Sequence, residues 1–89
     1  MIKKEVIVRN GSGLHARPAA MFVQIANKYS SVIKIVKDGQ EVNGKSIMGI
    51  LMLAAEKGAR VVLTVDGVDA EAAAQELETF LLKEKDPEM

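Results

Sequence analysis

The sequence predicts an α+β fold: a four-stranded antiparallel sheet with three helices on one face, in the order β-α-β-β-α-β-α. Three patterns predict it. Residues 2–9 alternate in the manner of a half-buried strand, and 32–37 and 60–66 read as strands with Ile33 and Ile35, then Val61, Leu63 and Val65, facing inward. Ala19, Phe22, Val23 and Ala26, and later Ala73, Leu77, Phe80 and Leu81, recur at three-and-four spacing, the period of helices with one apolar stripe. Asp38-Gly39 joins two strand-like runs as a two-residue hairpin turn does. One polar face per strand predicts that helices cover only the other.

Taken in order, Ile2, Val6 and Val8 share one face of the first strand, with Lys3, Glu5 and Arg9 mainly opposite. Asn10-Gly11-Ser12-Gly13 reads as a loop. A helix follows from about Ala16 to Lys28, with Gln24, Asn27 and Lys28 on its polar side. Pro18 fits the first turn, where its missing N–H removes no intrahelical bond, and it biases Arg17 away from αR. Ile33 and Ile35 point inward from the second strand, and the third runs from Gln40 to Val42. Ser46 is suited to cap a middle helix, and Gly58 to follow its end unless the helix stops sooner. Val61, Leu63 and Val65 face inward from the fourth strand, with Arg60, Thr64 and Asp66 outward. Asp69 is placed to cap the last helix, Glu71 suits its first turn, Lys83 and Lys85 its end, and Pro87 lies beyond. Without repeats, low-complexity runs or linkers, residues 1–89 read as one domain.

Composition excludes several function classes. No cysteine is present, so there is no disulfide framework, thiol nucleophile or cysteine zinc site, and a single histidine argues against a histidine metal site. No metal or cofactor is expected. Twelve basic residues balance twelve acidic ones, without the basic excess of a nucleic-acid binder. The N-terminus lacks the apolar run of a secretory signal. The longest apolar stretch, Ile47 to Ala55, falls far short of the roughly 20 residues that cross a bilayer. These features predict a soluble, cytoplasmic protein.

The only histidine, His15, stands where the loop becomes a helix. As N-cap, its ring lies beside unpaired N–H groups and the positive helix pole, equivalent to about half an elementary charge, which attracts phosphate. The backbone N–H groups of Ala16 and Arg17 belong to that cradle, and the Arg17 guanidinium adds a forked cation. Positive surroundings disfavour imidazolium and leave a neutral, nucleophilic ring. The arrangement suits phosphoryl acceptance. A lone histidine in a small domain also serves as a cap or packing residue, and spacing alone leaves both roles open. Ala20, small and on the polar side of the helix near His15, leaves an approach open to a partner.

In the middle helix, Ile47, Met48, Ile50, Leu51, Met52 and Leu53 are apolar all round. A short helix on a small sheet cannot bury every side, so part of it forms an exposed patch suited to protein contact. Methionine repacks readily against several partners. The alternative is a greasy core helix. Ser46 is either a plain cap or a site for a phosphate, which the helix pole would accommodate.

Gly13-Leu14-His15-Ala16-Arg17-Pro18-Ala19-Ala20 resembles the phosphorylation-site signature of HPr, the histidine-containing phosphocarrier family of the bacterial phosphoenolpyruvate:sugar phosphotransferase system. Val42-Asn43-Gly44-Lys45-Ser46-Ile47-Met48-Gly49 follows at the family's spacing and resembles its Gram-positive-type regulatory serine site. The resemblance spans essentially the whole chain and implies an open-faced β-sandwich. It implies a carrier, not an autonomous enzyme: His15 accepts a phosphoryl group from Enzyme I and passes it to the IIA domain of a sugar permease. Arg17 would balance the phosphate charge. Ile47, Met48 and Leu51, with Ala20, would dock partners. Ser46 would be modified by the HPr kinase/phosphorylase and read by a catabolite-control transcription regulator. Leu51 and Met52 depart from the methionine and small polar residue common in the family. Two rivals are a regulatory paralogue serving nitrogen or carbon signalling, and a phosphoserine-dependent binding module. His15 argues against the regulatory homologue that lacks the active histidine.

Overall fold

The computed structural model describes residues 1–11, 13–14 and 16–83. Alternation and three-and-four spacing resolve into β1 (Ile2–Ile7), α1 (Ala16–Ala26), β2 (Val32–Lys37), β3 (Gln40–Asn43), α2 (Ile47–Leu53), β4 (Arg60–Asp66) and α3 (Ala70–Leu82). All pairings are antiparallel, in the order β1-β4-β2-β3. This is the expected α+β architecture. The register sets Val6 opposite Val61, Ile35 opposite Leu63 and Ile33 opposite Val65, so the predicted inward residues form one contiguous apolar face. Phe22 of α1, Ile50 and Leu53 of α2, and Leu77, Phe80 and Leu81 of α3 close over it. The Phe22 and Phe80 rings meet edge to face, with centroids 6.5 Å apart. Each fully buried large side chain contributes about 1.5–3 kcal/mol by leaving water. On the outer face Lys34 pairs with Glu41 and Arg60 with Glu5, but these charges are about half exposed or more and contribute little.

Several boundaries and one capping bond depart from the sequence reading. β1 ends at Ile7 because Val8 exchanges backbone bonds with the segment before β4, and the Arg9 N–H donates to the Leu81 carbonyl at 2.8 Å. α1 ends at Ala26, where Lys28 and Tyr29 N–H bond carbonyls three residues back, the tighter pattern of a helix end. α2 stops at Leu53, not near Gly58, since Ala54 adopts the left-handed conformation (φ 53°) and its N–H caps the Leu51 carbonyl. Asp69 occupies the cap position of α3 without a side-chain capping bond. Its carboxylate instead accepts the Ser30 N–H at 2.9 Å, the Ser31 N–H at 3.0 Å and the Ser31 hydroxyl. Ser31 is buried, so leaving its donors unpaired would cost more than losing one cap. Lys85 and Pro87 lie outside the described residues.

These bonds make stability depend on pH. The Ser31 hydroxyl, then the Ser30 amide, hold the Asp69 carboxyl below the usual carboxylate range. The Lys28 ammonium, then the Tyr29 hydroxyl, do the same for Glu76, and Glu76 raises both partners in return. Because both acids titrate lower in the folded chain, their stabilisation is complete above the unfolded value of about 4 and is lost as pH falls through the folded values. Melting temperature should therefore drop below about pH 4. Asp69→Asn and Glu76→Gln should flatten that drop in thermal melts; an unchanged pH dependence in both variants would overturn the assignment.

Candidate functional site

His15 and Ser12 lie outside the described residues, and with them the expected N-cap and neutral ring of His15. The frame on either side of them is described. Leu14 is buried and its N–H donates to the Ala55 carbonyl at 2.7 Å. Gly13 has φ +84°, and a Cβ there would stand 2.7 Å from the Glu56 Cα and 2.8 Å from the Ala55 oxygen. Only glycine fits both the conformation and the space. Beyond residue 15, Ala16 opens α1 with φ +30°, a strained value for a residue with a Cβ. Pro18 is buried, while Ala16 and Arg17 are exposed. Among the described residues the Arg17 guanidinium has no ion-pair partner.

Asn10 was read in the sequence only as part of a loop, yet it is a fully buried polar residue. Its Nδ2 donates to the Phe80 carbonyl at 3.1 Å and, more weakly, to the Lys83 carbonyl at 3.4 Å. Its own carbonyl accepts the Gly13 N–H at 3.1 Å. Its Oδ1 has no partner among the described residues. An asparagine among glycines signals a turn, and nothing local reports that it reaches the far end of the chain.

Ser46 does cap α2: its backbone is extended and its Oγ accepts the Gly49 N–H at 3.1 Å. Gly49 lies tight against β3, where a Cβ would be 3.2 Å from the Val42 Cβ. α2 turns Ile50 and Leu53 into the core and leaves Ile47 (38%), Met48 (63%), Leu51 (38%) and Met52 (64%) exposed. The exposed patch expected from the sequence is present in shape. α2 packs beside α1, on which Ala20 is half-buried. Two contacts orient it. The Leu14–Ala55 bond joins the far end of α2 to the start of α1, while the Lys45 Nζ bonds the Tyr29 carbonyl at 2.6 Å beyond the end of α1. The helices therefore run in opposing senses. Ser46 stands a helix length, about 10 Å, from the end of α2 nearest residue 14, with the apolar patch between.

No helix among the described residues is long and apolar enough to cross a membrane. A family model described as "PTS HPr component phosphorylation site" matches residues 2–83. The chain is 48% identical over 84 residues to the HPr-like protein Crh of Halalkalibacterium halodurans, covering 94% of this chain and 100% of that one. It is 44% identical over 77 residues to the phosphocarrier protein HPr of Borreliella burgdorferi, covering 86% and 90% of the two chains. Among solved structures, the phosphocarrier protein HPr from Bacillus anthracis superposes with a TM-score of 0.88 at 48% identity, covering 90% of this chain and 95% of that one. A phosphorylation-site signature inside a match of that length and geometry shows that the chain belongs to the HPr family, whose members carry phosphoryl groups and are not themselves catalysts.

Proposed function

We propose that this chain is a one-domain cytoplasmic phosphocarrier of the sugar phosphotransferase system, accepting a phosphoryl group on His15 from phosphorylated Enzyme I and passing it to IIA domains of sugar permeases. The observation that carries the reading is the unbroken run from Gly13 to Ala20, with histidine at 15, inside a family match over residues 2–83. In the first transfer a ring nitrogen lone pair forms an N–P bond as the bond between phosphorus and Enzyme I breaks, its electron pair staying with Enzyme I. The second transfer reverses these roles toward the IIA domain. Arg17 and the N–H groups of Ala16 and Arg17 balance the phosphate charge, and their exposure suits a group that must move onward. Ala20, Ile47, Met48 and Leu51 dock the partners.

The test is an intact-mass spectrum after incubation with phosphoenolpyruvate and an active Enzyme I. One acid-labile phosphoryl group should appear on the wild type and none on His15→Ala. An unmodified wild type would sink the reading.

Ser46 is the regulatory site in this reading, modified by the HPr kinase/phosphorylase. A phosphate there stands within a turn of Ile47 and Met48 and about 10 Å from the end of α2 nearest residue 14, near the screening length of physiological salt. It acts on partner choice more than on the transfer step, opposing acidic or apolar partner surfaces and recruiting a basic one, such as that of a catabolite-control regulator. Ser46→Asp should raise the KM for Enzyme I about three- to tenfold and leave kcat within about twofold. Steady-state transfer kinetics would read this, and a fall in kcat alone would contradict it.

A regulatory reading has one observation in its favour. Two relatives carry the name HPr-like protein Crh, and a matching structure describes the Bacillus subtilis Crh as a catabolite repression HPr. Phosphate accepted on Ser46 but never on His15 would favour that reading.

A further inference from the structure

We infer that Asn10 is a positioning residue for phosphoryl transfer, locking the segment that leads into residue 15 onto the C-terminal end of α3. This rests on the carrier reading above.

The last carbonyls of a helix have no intrahelical donors and carry the negative pole of its dipole. In α3 the Lys83 N–H caps the Phe80 carbonyl at 3.3 Å, and the loop before residue 15 supplies further donors. The Arg9 N–H takes the Leu81 carbonyl at 2.8 Å, and Asn10 Nδ2 takes those of Phe80 and Lys83. The same asparagine closes a turn on the other side, its carbonyl accepting the Gly13 N–H at 3.1 Å. Leu14, the next described residue, is then fixed by the Ala55 carbonyl at 2.7 Å. Among the described residues Asn10 thus bonds α3 through its side chain and, through its main-chain carbonyl, the turn that delivers Leu14 to its anchor. Its side chain lies fully out of water, and its bond to Phe80 is buried, where solvent does not compete. An apolar residue of similar size would fill the space but remove the bond to Lys83 and leave Phe80 only the Lys83 N–H at 3.3 Å. Docking, by contrast, belongs to exposed side chains of α2 that Asn10 does not bond. A positioning defect should appear in the transfer step, not in partner capture.

The experiment compares Asn10→Ala and Asn10→Ser with Val65→Ala, at a temperature where circular dichroism shows each variant folded. Val65 pairs with Ile2, at the opposite end of β1 from Arg9 and Asn10, so its loss weakens the core without touching the loop. Transfer from phosphorylated Enzyme I should lose about tenfold or more in kcat in both Asn10 variants, with KM within about twofold. Val65→Ala should keep the wild-type kcat. In the same samples, amide exchange at Gly13 and Leu14 should accelerate only in the Asn10 variants. An Asn10 variant with wild-type kcat, a rise confined to KM, or an equal loss in Val65→Ala would overturn the role. A wild type that accepts no phosphoryl group overturns the carrier reading itself, a result distinct from a phosphorylated wild type matched by its Asn10 variants.

Discussion

Gly13→Ala should lower stability by about 3 kcal/mol and slow phosphoryl transfer in the same variant. Two penalties add. A φ of +84° costs an alanine the strain of the left-handed region, and its Cβ would overlap the Glu56 Cα at 2.7 Å and the Ala55 oxygen at 2.8 Å. Those are backbone atoms, so no side-chain rotation relieves the contact. Relief requires the 54–58 turn and the 10–14 loop to separate, and the 2.7 Å bond from Leu14 to Ala55 breaks as they do. In a chain of 89 residues such a loss corresponds to a melting temperature lower by about 12–20 °C. Calorimetry checks the stability, and kcat with Enzyme I, measured well below the melt, checks the loop. A variant melting within about 3 °C of wild type would show that the two segments yield easily.

Phe22→Ala should be more damaging still to the fold, by about 3–5 kcal/mol. The ring is fully buried and lies edge to face with Phe80. It couples α1, which carries the candidate site at its start, to α3, whose end receives Asn10. A domain of this size has only about 5–15 kcal/mol in hand, so much of that margin disappears. Urea denaturation should show a lower midpoint with nearly the same slope, because the surface exposed on unfolding changes little. Phe22→Leu should recover more than half of the loss, since it refills most of the cavity. A loss below about 1 kcal/mol in Phe22→Ala would mean that α1 collapses into the space.

The sheet and its inward face were legible because they follow a local period: Val61, Leu63 and Val65 announce their shared face by alternation alone. The two runs that make up the candidate site could be picked out in the sequence because each is covalently continuous, from Gly13 to Ala20 and from Val42 to Gly49. Ser46 as a cap was legible for the same reason, since a cap and its amide are three residues apart. What tertiary structure alone decided involves partners distant in sequence. Asp69 reads locally as a cap, yet its carboxylate serves Ser31, 38 residues away, because a buried serine outbids a helix end that water can reach. Asn10 reads locally as a turn, yet it closes α3 across 70 residues. The direction of α2, and hence the separation of Ser46 from the start of α1, depends on Ala55 meeting Leu14 at one end and Lys45 meeting Tyr29 at the other. Periodicity and covalent adjacency are written along the chain; hydrogen bonds between distant residues exist only once the core has packed and brought them within reach.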